Sequence, residues 1–180
     1  MKQLLIGVCM LLPVISVAQL PWSQEIAVAE SADGAVRPRI VLTGDNVPLV
    51  FWGDGSPKVN RSARFNGTDF DPSVEVTPAG VQPFVTWWAG SEIAAQGDKV
   101  FAVIKSDPAE QGKVYLIPST DGGQTWGDTV RVENLGQDLS RFPSVAITGS
   151  GNPVVTFMKF EPNWQEPHYV VAASTDGGST

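Results

Sequence analysis

The sequence predicts an all-β fold built from repeated four-stranded antiparallel sheets, the blades of a β-propeller. Three observations predict it. The turn Ser119-Thr120-Asp121-Gly122-Gly123-Gln124-Thr125-Trp126 returns 55 positions later as Ser174-Thr175-Asp176-Gly177-Gly178-Ser179-Thr180. A strand–turn–strand pattern beginning at Pro38 returns at Pro143, an offset of 105. No stretch holds a helical period. Repeats spaced by about 50 residues, each made of short strands and turns, are the mark of propeller blades.

Taken in order, the chain opens with Lys2, an apolar run from Leu4 to Val17, and the small residues Ser16-Val17-Ala18. This reads as a secretory signal over residues 1–18, with Gln19 the first mature residue. The protein is therefore expected to be secreted, periplasmic or at the cell surface. The run falls short of the roughly 20 apolar residues of a membrane span, and Pro13 interrupts it. Cys9 is the only cysteine, so the mature chain is expected to hold no disulfide.

The formal charge is −7, and loss of Lys2 takes it to −8. No Lys/Arg cluster is present, which argues against nucleic acid and against an anionic membrane surface. Charged residues make up 17% of the chain and hydrophobic ones 42%, a balance of neither disorder nor coiled coil.

Residues 19–35 lack periodicity and read as a linker. The propeller segment is 36–180. Its first blade spans about 37–77: Pro38 to Gly44, a turn, then Pro48 to Trp52. Its last turn is Phe65-Asn66-Gly67-Thr68-Asp69-Phe70, with Phe70 in the place of Trp126. Residues 78–90 form a loop carrying Pro83-Phe84-Val85-Thr86-Trp87-Trp88. The second blade spans about 91–133, with a hairpin turning at Gly97-Asp98 and the Asp-Gly-Gly turn between its third and fourth strands. The third spans about 142–180 and stops inside its own copy of that turn. Three blades do not close a ring, so the chain is expected to be the N-terminal part of a larger domain.

The repeated turn has a physical logic. An Asp accepts N–H bonds from residues just after it and closes the turn. Glycines supply the positive φ that side chains resist. Ser119, Asp121, Gly123, Thr125 and Trp126, with Ser174, Asp176, Gly178 and Thr180, therefore read as structural. Trp126 is expected to fold over the turn as its apolar plug. Two tripeptides, Asn60-Arg61-Ser62 and Asn66-Gly67-Thr68, have the form of glycosylation sequons.

The pattern Ser-x-Asp-x-Gly-x-Thr-Trp resembles the Asp-box, or BNR repeat, of the sialidase superfamily. The first copy matches every defined position, and the second matches up to Thr180. The resemblance implies a six-bladed propeller, with Asp-boxes on the face away from substrate. It also implies an arginine triad for the substrate carboxylate, a tyrosine nucleophile paired with a glutamate, and an acid/base aspartate. Arg39-Ile40 matches two of three positions of the family's Arg-Ile-Pro motif, with Val41 for the proline. Arg39 is thus the candidate carboxylate ligand. Asp54, in Gly53-Asp54-Gly55-Ser56-Pro57-Lys58, is the positional candidate for the acid/base, although the arginine expected on that loop is absent. Asp69 and Asp71 are fallbacks.

Trp87 and Trp88 are candidate sugar-stacking residues. Tyr115 and Tyr169 lie in third strands and read as core or face residues. His168 is the only histidine, so no His-cluster metal site is expected, and no cofactor. The expected function is an exported glycoside hydrolase acting on terminal sialic acid or a related acidic sugar. The alternative is a non-catalytic Asp-box propeller binding glycan or protein at the cell surface.

Overall fold

The computed structural model describes residues 23–29, 34–108, 112–133, 139–160 and 166–180. The expected signal segment, residues 1–18, which includes Cys9, lies outside them. The described strands form three antiparallel meanders, the blades of a β-propeller. The first holds β1 (Ala35–Leu42), β2 (Pro48–Gly55), β3 (Lys58–Arg64) and β4 (Val74–Glu75). The second holds β5 (Glu92–Gln96), β6 (Lys99–Lys105), β7 (Val114–Ser119) and β8 (Val130–Arg131). The third holds β9 (Leu139–Ile147), β10 (Pro153–Phe160) and β11 (Pro167–Ala173). A single 3-10 turn, Gly44–Asn46, is the only helical element among the described residues. None of their helices is long and apolar enough to cross a membrane.

The core lies between blades rather than within one. Along β6, Phe101 and Val103 face the third sheet with Val114 and Leu116, meeting Val155 and Phe157. Their neighbours Ala102 and Ile104 face the first sheet with Ile117, meeting Phe51 and Val76. The strand alternates, but both faces are covered, so it reads in sequence as one apolar run. Burying each large aliphatic or aromatic side chain contributes about 1.5–3 kcal/mol. The far face of the first sheet carries a smaller cluster, Val50, Trp52 and Ala63, touched by Val28 and Phe70. The first strands β1, β5 and β9 lie against one another along the inner edge.

Two expectations change in detail. Trp126 does not simply plug its own turn. Its ring meets Phe51 of the first sheet at 6.5 Å, and its indole N–H donates to Ser62 Oγ at 3.1 Å. In the first blade's last turn, Asn66 does the work of the missing Asp. Its Oδ1 accepts the N–H of Thr68 at 3.1 Å and of Asp69 at 3.0 Å. A side-chain amide oxygen closes an Asx turn as a carboxylate does. Of the two sequon asparagines, Asn60 is 1% exposed and accepts from Ser91 Oγ. That leaves no room for a glycan there.

Candidate functional site

Strand register defines two ends of the assembly. Gln96 pairs with Lys99 at the β5–β6 hairpin, and Val100 pairs with Ser119. The hairpin tip and the Asp-box turn therefore share one end, and Gly122 N–H donates to Asp98 O at 2.9 Å. Glu92 pairs with Val103 near the opposite end. That opposite end also holds the start of β1, the β2–β3 turn and the 76–91 loop.

At the end that holds the repeated Asp-Gly-Gly turns, both aspartates are engaged within their own turns. Asp121 accepts from Ser119 Oγ at 2.8 Å, from Thr125 N at 2.9 Å and from Thr125 Oγ1 at 2.5 Å. Asp176 accepts from Ser174 Oγ at 2.6 Å, Ser179 N at 3.0 Å and Thr180 Oγ1 at 2.5 Å. Desolvation pushes the Asp121 carboxyl up, but the bonds from Thr125 and Ser119 outweigh it and hold it below its ordinary value. Bonds from the Ser174 and Thr180 hydroxyls lower Asp176 as well.

The second glycine of each box has a further reason to be glycine. At Gly123 (φ +83°) a Cβ would stand 2.5 Å from Leu49 Cδ2 of the first sheet. At Gly178 (φ +84°) it would stand 3.0 Å from Leu116 Cδ2 and 3.1 Å from Phe101 Cε1 of the second. Each of these turns thus seats itself on the preceding blade, with its carboxylate oxygens occupied within the turn.

The opposite end gathers charge. Arg39 forks onto Glu92, Nε to Oε2 at 2.6 Å and Nη2 to Oε1 at 2.5 Å. Arg37 reaches the same carboxylate, Nη2 to Oε1 at 3.4 Å, and donates from Nη1 to Trp88 O at 2.8 Å. The Glu92 hydrogen bond raises Arg39 further above its ordinary value, against a smaller desolvation effect. The two arginine side chains are 27% and 30% exposed. One carboxylate between two guanidiniums leaves a net charge of +1 in an otherwise acidic protein. Glu92 occupies one edge of the Arg39 fork, and a guanidinium has five N–H donors. Arg39 Nη1 also donates to Pro38 O at 3.3 Å, which still leaves one N–H on each Nη for an incoming carboxylate or hydroxyl.

Asp54 stands elsewhere. Its Oδ1 accepts from Trp52 Nε1 at 3.0 Å and its Oδ2 from Arg61 Nε at 2.6 Å. The arginine missing from its loop arrives from β3. Arg39 pairs with Phe51, whose ring faces the second sheet. Trp52 and Asp54 alternate to the other face, where they line a cleft of about 490 Å³ with Arg61, Phe70 and Asp71. The structure does not bring Arg39 and Asp54 together. In a ring of blades that cleft face is the one a further blade packs against.

Beside the arginines stands an aromatic group. Thr86 and Ala89 close a short loop, Thr86 N to Ala89 O at 3.1 Å and Ala89 N to Thr86 Oγ1 at 2.9 Å. Trp87 and Trp88 lie at its tip. Trp88 packs edge-on against Phe84 at 5.6 Å and tilted against Phe142 at 6.0 Å. Trp87 is 81% exposed.

Two non-glycine residues with positive φ converge here, Arg37 (54°) and Phe142 (51°). Each precedes a proline, and they are 105 positions apart. The ladder shifts register beside each, between Val36 and Arg39 and between Thr156 and Met158 opposite Arg141–Ser144. Such a backbone costs about 1–3 kcal/mol per residue, and bulges of this kind re-aim side chains. Sequence reasoning did not single out Glu92, Arg61, Phe84 or Phe142. Only Phe142 had a signal, its position opposite Arg37 in the 105-residue repeat.

No group of three or more metal-ligating side chains is present among the described residues. No family model matches the chain, and no curated protein is similar enough in sequence to count as a relative. Solved structures do resemble it. An endo-1,4-β-xylanase from Bacteroides thetaiotaomicron superposes with a TM-score of 0.51 at 10% identity, over 84% of this chain and 62% of that one. A GH43 β-1,3-galactosidase gives 0.48 at 15% identity, over 76% and 30%. An exo-β-1,3-galactanase from Clostridium thermocellum gives 0.49 at 8% identity, over 79% and 32%. The chain spans about three-fifths of the xylanase's length. Of these three, the xylanase has a TM-score above 0.5, and at 10% identity it shows a shared fold and nothing finer.

Proposed function

We propose that this protein is an exported glycan-processing propeller of the glycoside-hydrolase kind, acting on a carboxylated terminal sugar such as sialic acid. One observation carries the reading. Arg39, held in a fork by Glu92 and flanked by Arg37, stands at the end of the blades away from the Asp-boxes. A planar guanidinium fixed on one edge is preorganised to grip a carboxylate on the other. The Asp-box resemblance supports a sialidase-like propeller, and the neighbours' names supply a fold-level analogy to glycosidases. The chemistry of cleavage would be shared with residues other than the ones described.

A second reading is a propeller that binds acidic glycan without cleaving it. The placement of Asp54 favours it, since both carboxylate oxygens are engaged and the group faces away from Arg39. The test sets the full-length protein against fluorogenic sialoside, xyloside and galactoside, with binding of each sugar measured by calorimetry. Sialoside turnover that falls at least about tenfold in Arg39→Lys and in Glu92→Gln supports the enzyme reading. Binding without turnover supports the second reading. A preference for neutral sugars that Arg39→Ala leaves untouched overturns both.

A further inference from the structure

We propose that the Trp87–Trp88 tip is a stacking subsite for a neutral sugar ring joined to the charged sugar held at Arg37 and Arg39, so that the ligand is an acidic oligosaccharide rather than a lone acidic monosaccharide. The inference deepens the proposed function and rests on its placing of the charged sugar.

A single exposed aromatic on a surface is ordinary. Here three large aromatic side chains show together: Trp87 at 81%, Trp88 at 42% and Phe142 at 46% exposure. Trp88 is wedged between Phe84 and Phe142, which leaves Trp87 as the indole with a free face. An indole face is apolar and electron-rich, suited to the C–H-bearing face of a pyranose.

The loop that carries the tip is closed by its own hydrogen bonds. Thr86 closes it from both sides, with its backbone N–H and its hydroxyl. Phe84 N–H donates to Lys105 O at 2.7 Å, and the Lys105 ammonium sits 3.9 Å from the Phe84 ring centroid. Val85 fills the space above Gly53, where a Cβ would stand 2.7 Å from it. A loop backbone already held this way loses little freedom on binding.

One residue ties the platform to the charged cradle. Arg37 donates Nη1 to the Trp88 carbonyl and Nη2 to Glu92. Arg37 and Phe142 both have left-handed backbone, and both side chains end on Trp88. Cationic groups on one side and an indole on the other complement a chain with one charged and one neutral sugar.

The experiment uses the full-length protein, sialyllactose, methyl sialoside and lactose, followed by calorimetry and tryptophan fluorescence. Trp87→Ala should keep the wild-type melting temperature, because this side chain is 81% exposed. It should weaken sialyllactose about tenfold while leaving methyl sialoside within about twofold, and Trp87→Phe should recover most of the loss. Equal weakening of both ligands, or no weakening of either, overturns the subsite. Lactose separates this inference from the one it rests on. If Arg39→Ala proves harmless yet lactose quenches wild-type and not Trp87→Ala fluorescence, the stacking site stands and the acidic reading falls.

Discussion

The indole N–H of Trp126 donates to Ser62 Oγ at 3.1 Å, across a separation of 64 residues and the seam between two blades. Ser62 is 0% exposed, so the hydroxyl has no water to fall back on. Trp126→Phe keeps the contact with Phe51 and removes the donor. We expect a loss of about 1–3 kcal/mol, as for a buried polar group left unpaired. Ser62→Ala added to it should cost little more, and the double-mutant cycle measures the bond. Strictly additive losses would remove the bond from the seam.

Gly123→Ala makes a second test of the same seam. The new Cβ would meet Leu49 Cδ2 at 2.5 Å, on a backbone with φ +83°. Overpacking and left-handed strain each cost about 1–3 kcal/mol. Leu49→Ala relieves the clash but not the strain, so the double variant should lose less than the sum of the two singles. Melting curves of the four proteins read this directly.

Acid should loosen the Asp-box turns. Asp121 and Asp176 are both lowered on folding. A lowered carboxyl favours the folded state above its unfolded value, near 3.9, and that contribution is lost as pH falls through the depressed folded value. The melting temperature should therefore decline below about pH 5 and keep declining toward the acid limit. Asp121→Asn should flatten part of that limb and cost about 1 kcal/mol at neutral pH, the exposure of the turn limiting the figure. An acid limb identical in the variant would show that the carboxylate does not close the turn.

Asp54→Asn separates a structural aspartate from a catalytic one. The variant keeps an acceptor for Trp52 but leaves the Arg61 guanidinium without its counter-charge. We expect a loss of about 1.5–3 kcal/mol, the range for hydrogen bonds to charged groups. Where the proposed sialoside turnover is measured, its pH–rate profile is expected to keep its acid limb in this variant. A stable variant that loses that limb would make Asp54 the acid/base.

The fold was legible because its signals are local. Asp121, Gly122 and Gly123 specify a turn by their own chemistry, and the prolines at 38, 48, 143 and 153 repeat in register. The candidate site was legible only in part. Arg39 stands out by motif, but its partner Glu92 lies 53 positions away on another blade. Asp54 is visible as an Asp-Gly turn, but alternation along β2 turns it from Arg39, and Arg61 reaches it from the next strand. Trp87 and Trp88 announce themselves as a pair, while the bulges that aim Arg37 and Phe142 at Trp88 leave only the repeated proline that follows each. A left-handed φ at Arg or Phe is imposed by tertiary packing, which no local propensity encodes.

Gly123 resting on Leu49, and Gly178 on Leu116 and Phe101, give the assembly a direction. The second and third blades each carry, in the turn after their third strand, the fitting for the blade made before them. A nascent chain leaving the ribosome thus brings the second blade, and then the third, to a surface that already exists. The same asymmetry bears on how such chains lengthen. A copied blade arrives with its own coupling, and asks of its predecessor only a few apolar side chains at the right height.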